Sequence, residues 1–201
     1  MTVNATGAAR MLSFSSGRRA LMLGTALVAA AMACGPALAQ GVQKVRLSTS
    51  MGDIVLGLNR AKAPKTVDNF IQYVKDGHFD GTIFHRVMDG FMIQGGGMKQ
   101  DLSEKPTRPP IPLEAGNGLS NVRGAVAMAR TNVRDSATSQ FFINVVDNPN
   151  LDTLGGGYAV FGKVIEGMDV VDKIRAVPTE SRGVHQNVPV QPVIIKKATL
   201  E

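Results

Sequence analysis

The sequence predicts a mostly β fold, either a closed β-barrel or a sandwich, with two helices covering its openings. Many short stretches alternate apolar and polar residues and are separated by glycine or proline, a pattern typical of strands and turns. Only two segments repeat their apolar residues with the helical period instead. We find no internal repeat after residue 39, so the rest of the chain is expected to form one domain.

The first strand pair is predicted at residues 45–58. Apolar residues alternate on both sides of Met51-Gly52-Asp53, which indicates a turn: Val45 and Leu47 before it, and Ile54, Leu56 and Leu58 after it. Later segments give further strand predictions: Ile83 to Gln94, Gly124 to Arg130, Gln140 to Val145, Tyr158 to Val164 and Gln191 to Thr199. Asp89-Gly90 predicts a tight hairpin inside the first of them. The proline-rich stretch from Pro106 to Asn121 predicts a long loop.

The two helices are predicted from apolar stripes spaced three and four residues apart. The stripes consist of Val67, Phe70, Ile71 and Val74 in the first helix, and of Met168, Val171, Ile174 and Arg175 in the second. Pro64 suits the first turn of the first helix and Gly77 suits its end. Pro178 lies just beyond the second helix, where a helix would have to stop.

The first 39 residues predict a secretory signal peptide. They contain Arg10, Arg18 and Arg19 and no acidic residue, and an uncharged run follows up to Ala37-Leu38-Ala39. A basic start, an apolar middle and a small-residue end are typical of an export signal, so we expect cleavage after Ala39 and a periplasmic protein that begins near Gln40. The mature domain would then cover residues 40–201.

Other interpretations of this leader stay open. The apolar run is long enough for a transmembrane anchor, although its alanine content and Gly35-Pro36 argue against one. Cys34 could carry a lipid anchor, Arg18-Arg19 could direct twin-arginine export, and Met11 could be the true start. If the leader is cleaved after Ala39, the protein contacts the membrane only transiently, through its signal peptide.

Charge and residue types exclude several functional classes. Removing the three leader arginines from the 22 basic residues leaves 19 against 16 acidic ones, a net charge of +3. No basic cluster with interleaved aromatic residues remains, so no nucleic-acid partner is expected. The three histidines are scattered, and the single cysteine belongs to the leader, so the pattern predicts neither a metal site nor a thiol nucleophile. No cofactor is expected.

Arg86 is the residue that invites a chemical role. It lies within an apolar strand segment, and an isolated arginine there is more often a structural ion pair or a surface side chain. The neighbouring His85 is interpreted as a structural hydrogen-bonding group rather than as a base. The wider sequence context changes the interpretation of Arg86.

Several sequence blocks around Arg86 resemble the cyclophilin family, in the family's order. They are Phe84-His85-Arg86-Val87, Gly90 to Gly96, Ala127-Met128-Ala129-Arg130, Ser139 to Asn144, and Val160 to Val164. Asn117 to Asn121 and Asn187-Val188-Pro189 are most similar to bacterial cyclophilins. The resemblance implies a closed eight-stranded antiparallel β-barrel capped by two helices, and peptidyl-prolyl cis-trans isomerase activity on proline-containing unfolded or partly folded polypeptides.

The resemblance also implies roles for individual residues. Arg86 would be the catalytic arginine, with Gln94 as a polar support within the catalytic group. The remaining residues would bind substrate: Phe91, Met92, Phe142 and Leu151 as walls of the proline pocket, Gln140 as a second polar support, Ala129 and Arg130 at a peptide-docking edge, and Tyr158 where many relatives carry histidine. Asn150 replaces a tryptophan of eukaryotic relatives, so weak or no cyclosporin binding is expected. The protein is expected to be a monomer.

Two alternative functions remain at this stage. The chain could be a module that only binds proline-containing peptides, although Arg86 and Phe142 are both intact. It could also be a purely structural barrel. In that case Arg86, Gln94 and Phe142 would be unrelated in space.

Overall fold

The computed structural model describes residues 42–201, so the predicted signal peptide lies outside the described residues. These residues form a mostly β fold with two helices, as the sequence predicted. The strands are β1 Gln43–Thr49, β2 Gly52–Leu58, β3 Phe84–Met88, β4 Met92–Gly95, β5 Ala125–Met128, β6 Phe141–Asn144, β7 Val160–Glu166, β8 Thr179–Arg182, β9 His185–Pro189 and β10 Ile195–Leu200. The helices are α1 Pro64–Lys75 and α2 Met168–Arg175.

Eight of the strands form one antiparallel sheet in the order β10-β1-β2-β7-β5-β6-β4-β3. The sheet curls into a half-barrel, and its two edges do not pair as strands. They meet at an isolated bridge between Ile83 and Ile194, where the Phe84 N–H donates to the Val193 carbonyl over 2.9 Å. The prediction of eight strands therefore agrees with the sheet, whereas a continuously closed barrel is not observed. Beyond this bridge β3 lies against β9, so the ladder between the two edges does not continue.

The first hairpin shows why the alternating pattern predicted strands. Val45 pairs with Leu56 and Leu47 with Ile54, so all four side chains lie on one face of the β1–β2 pair. That face is fully buried in the barrel core. In the second hairpin, β3 and β4 are joined by three residues, and Gly90 has a φ of +80°, a conformation that glycine adopts without strain.

Helix α1 covers the barrel core with its apolar face. Phe70 is fully buried and lies 5.4 Å from Phe141 and 5.1 Å from Phe161, measured between ring centroids. The predicted stripe is correct at three of its positions, but Ile71 is only partly buried and Tyr73 is buried instead. Helix α2 buries Val170, Val171 and Ile174. Neither helix in the described residues is long and apolar enough to span a membrane.

The β8–β9 hairpin was not predicted from the sequence. Its first strand, Thr179–Arg182, is polar and has no buried residue, so it lacks the alternation by which the other strands were recognised. The hairpin forms a separate two-stranded sheet beside the main one. The predicted loop at Pro106 to Asn121 is observed, with one isolated bridge at Ile111.

Candidate active site

Arg86 lies in a row of side chains that runs across the strands. Arg86 of β3 pairs with Gln94 of β4, Gln94 pairs with Phe142 of β6, and Phe142 pairs with Ala127 of β5. Directly opposed residues share one face of a sheet, so these four side chains project on the same side. They are termed the transverse row. The purely structural interpretation required Arg86, Gln94 and Phe142 to be unrelated in space, and that expectation is wrong.

The polar half of the transverse row is linked by side-chain amides. Gln94 Nε2 donates to Gln140 Oε1 over 2.8 Å, and Arg86 Nη1 donates to Gln94 Oε1 over a long 3.5 Å. This long bond is the single side-chain hydrogen bond of Arg86 within residues 42–201. A guanidinium has five N–H donors, so most of those on Arg86 remain available to a ligand. Gln94 and Gln140 hold the guanidinium in place without neutralising its charge.

Apolar residues adjoin the polar half and form a cluster separate from the barrel core, termed the groove cluster. Its buried members are Met92, Ala125, Ala127, Phe142, Leu151 and Val160, and Met88, Phe91, Leu119, Ala129 and Tyr158 pack against them partly buried. All four predicted walls of the proline pocket belong to this cluster. Met88 and Leu119 were not predicted, although Leu119 lies in a block that the sequence comparison had already singled out. The cluster offers an apolar surface directly beside a cation.

Leu151 and Tyr158 come from the loop between β6 and β7. Leu151 lies in a 3-10 helix, Pro149–Asp152, and its carbonyl accepts a hydrogen bond from the Tyr158 N–H over 2.9 Å. Asp152 Oδ1 fixes this turn by accepting from the Asn121 N–H and from Asn121 Nδ2, over 2.8 and 2.7 Å. This role of Asp152 was not predicted, because its partner Asn121 lies 31 residues away in the chain. Asn150, on the same turn, is exposed.

Tyr158 packs edge-on against Phe142, with 5.7 Å between ring centroids. The Arg130 guanidinium lies 4.7 Å above the Tyr158 ring and donates to the carbonyls of Gly157 and Gly155 over 3.0 and 2.6 Å. The Arg130 side chain therefore holds the loop that carries Tyr158. The predicted peptide-docking edge concerns its backbone, next to Ala129, whose N–H donates to the Gln140 carbonyl over 3.0 Å.

His85 is buried behind the transverse row, with 5% of its surface exposed. Burial is the main cause that lowers its pKa to about 4, and the positive fields of His185 and Arg86 lower it further. The imidazole is therefore neutral at physiological pH. Among residues 42–201 its Nδ1 has no hydrogen-bond partner.

Comparison with known proteins identifies the family. Residues 44–200 match the family model described as cyclophilin type peptidyl-prolyl cis-trans isomerase/CLD. The chain is 59% identical over 161 residues to peptidyl-prolyl cis-trans isomerase cyp18 of Streptomyces antibioticus, covering 78% of this chain and 97% of that relative. It is 56% identical over 158 residues to peptidyl-prolyl cis-trans isomerase A of Dickeya dadantii, covering 78% and 83% of the two chains.

Solved structures give the same result. A cyclophilin type peptidyl-prolyl cis-trans isomerase of Cryptosporidium parvum superposes with a TM-score of 0.67 at 28% identity, covering 80% of this chain and 98% of that one. A second structure of that protein, in the presence of the dipeptide Ala-Pro, has the same TM-score of 0.67. The family model matches nearly all described residues, and the half-barrel with an arginine beside an apolar groove is consistent with that match. The chain therefore belongs to the cyclophilin-type peptidyl-prolyl cis-trans isomerase family.

Proposed function

We propose that this enzyme isomerises X-Pro peptide bonds in exported polypeptides and thereby assists their folding, with Arg86 and Gln94 as the catalytic pair. The single observation that carries the assignment of residues is the transverse row. It brings a cation with available donors next to the groove cluster, which has the apolar character that a proline ring requires.

The chemistry requires no bond to break. Amide resonance raises a rotation barrier of about 18–20 kcal/mol, so an uncatalysed prolyl bond isomerises in about 10–100 s. In the twisted amide the nitrogen lone pair is no longer delocalised and can accept a hydrogen bond. A guanidinium donor on Arg86 that points at this nitrogen would stabilise the twisted state selectively, and selective stabilisation is what raises the rate.

Arg86 alone does not supply the whole effect. A turnover of about 10³ s⁻¹ would require the barrier to fall by about 7 kcal/mol at 1.36 kcal/mol per decade. One well-placed donor contributes about 3–4 kcal/mol. We assign the remainder to the groove cluster, where Phe91, Met92, Phe142 and Leu151 would exclude water from an amide that loses charge separation as it twists. Ala129, Arg130, Gln140 and Tyr158 would hold the flanking peptide.

Replacement of Arg86 tests the proposal. We expect Arg86→Ala to lower kcat/KM on Ala-Pro peptides by about two to three decades, since one charged donor is lost. Arg46→Ala is the matched control, because Arg46 is a partly exposed arginine of β1 that pairs with Asp53 and Glu201. Its rate should be unchanged. Near-full activity of a folded Arg86→Ala protein would refute the catalytic role.

We further propose that the protein acts in the periplasm after cleavage of residues 1–39. The support is the layout of the leader: three arginines, an uncharged run and a small-residue end. The intact mass of protein recovered from the cell envelope should correspond to a chain that begins near Gln40. A lipidated species beginning at Cys34 would contradict cleavage after Ala39 and support the alternative anchor.

A further inference from the structure

A cavity of about 380 Å³ adjoins the transverse row. The β8–β9 hairpin contributes four of its lining residues, and the others come from β3, β4 and the segments that follow β4 and precede β6: Val184, His185, Gln186 and Asn187 of the hairpin, with His85, Arg86, Gln94, Met98 and Gln140. No member of the groove cluster lines this cavity. It is therefore distinct from the apolar groove but shares the Arg86 guanidinium with it.

The hairpin tip contributes little to the stability of the fold. Among the strands that the structure describes, β8 pairs with β9 alone, and Val184 is 92% exposed at the turn. Asn187 has a φ of +59°, an uncommon backbone conformation for a residue other than glycine. The exposed tip of this hairpin lines the same cavity as Arg86, so it is placed to contact a ligand that enters there.

The charge and polarity of the lining residues indicate which ligand suits the cavity. The residues that line the cavity include one permanent cation, two imidazoles and several side-chain amides, and none of them carries a carboxylate. The cavity is therefore polar, rich in donors and positively charged, which favours a negatively charged group.

Resting on the isomerase function proposed above, we propose that this cavity binds an acidic side chain, aspartate or glutamate, of the substrate polypeptide close to its X-Pro bond. The β8–β9 hairpin is then a specificity-determining element of the enzyme. Arg86 can serve both sites because its five N–H donors point in different directions, so one can face the prolyl nitrogen while others face the cavity.

A charge placed on the hairpin tests this proposal. Gln186 lines the cavity and is exposed, so Gln186→Glu adds a negative charge there with little change in shape. Ser181→Glu is the matched control, because Ser181 is an exposed residue of β8 that does not line the cavity. The substrates are proline peptides that differ only in carrying Glu, Gln or Lys at each position within three residues of the proline.

The readout is the ratio of kcat/KM for the Glu peptide to kcat/KM for the Lys peptide. We expect a ratio near ten at one of these positions for the unmodified protein, a fall to about one in Gln186→Glu, and no change in Ser181→Glu. High salt should lower the ratio, since the attraction is electrostatic. A ratio near one at every position in the unmodified protein, or a high ratio that Gln186→Glu leaves intact, would overturn the subsite. Failure to turn over any of the peptides would instead refute the isomerase function.

Discussion

Gly97 lies beside the polar half of the transverse row, and a methyl group there should disturb catalysis without touching Arg86. A Cβ added at Gly97 would lie 2.4 Å from Gln140 Cγ and 2.9 Å from Gln140 Cδ. Carbon atoms in contact are normally about 3.5–4.0 Å apart, so the Gln140 side chain has to move. Its 2.8 Å hydrogen bond with Gln94 would be lost, and Gln94 would no longer be fixed against Arg86.

The expected size of this effect follows from that one hydrogen bond. A neutral side-chain hydrogen bond contributes about 0.5–1.5 kcal/mol, which corresponds to about a two- to tenfold fall in kcat/KM. The assay is protease-coupled isomerisation of an Ala-Pro peptide, with a thermal melt to confirm that Gly97→Ala is folded.

A double-mutant cycle isolates the cause. Where Gln140 is already alanine, Gly97→Ala should produce almost no further loss, because the side chain that it displaces is gone. An equal loss in both backgrounds would show that the methyl group obstructs the substrate directly. Unchanged activity of the single variant would show that Gln140 does not position Gln94.

Two further predictions concern His85 and Asn150. The pKa of His85 is about 4 in the folded protein and near 6.5 in the unfolded chain. Between these pH values the unfolded chain binds a proton at His85 that the folded protein does not, so the free energy of unfolding should fall by about 3 kcal/mol as pH drops from about 6.5 to 4. Denaturant titrations should show a smaller fall in His85→Gln, and equal falls would contradict the assignment. Asn150→Trp should tighten cyclosporin inhibition by nearly two decades, because about 100 Å² of added apolar contact is worth about 2.5 kcal/mol. Asn150→Ala is the control, and nanomolar inhibition of the unmodified protein would contradict this prediction.

The sequence predicted those parts of the fold whose burial follows a simple period. Strands β1 and β2 and helix α1 were recognised because their apolar positions alternate or recur every three to four residues. The β8–β9 hairpin was not predicted, because an exposed polar strand such as β8 shows no alternation of apolar and polar residues. The edges of the sheet could not be predicted either, because whether β3 and β10 pair depends on the curl of all eight strands.

The candidate site was predictable to a similar degree. Local blocks around Arg86 and Phe142 resemble a known family, so the residues could be named before their arrangement was seen. Their alignment in one row depends on strand register, which a single sequence does not contain. Two supporting contacts join residues that are far apart in the chain: Asp152 with Asn121, and Gly97 with Gln140. No local sequence pattern predicts either of them.

The strands that carry the transverse row have a different set of neighbours on each face. Phe141 and Ile143 belong to the barrel core, while Phe142 between them belongs to the groove cluster. On β4, Ile93 belongs to the barrel core and Met92 to the groove cluster. Substitutions at outward positions can therefore alter ligand preference while the inward positions preserve the folded state. A directed-evolution library restricted to the outward residues of β4, β5 and β6 should consist mostly of folded proteins. A library of equal size on the inward residues should not.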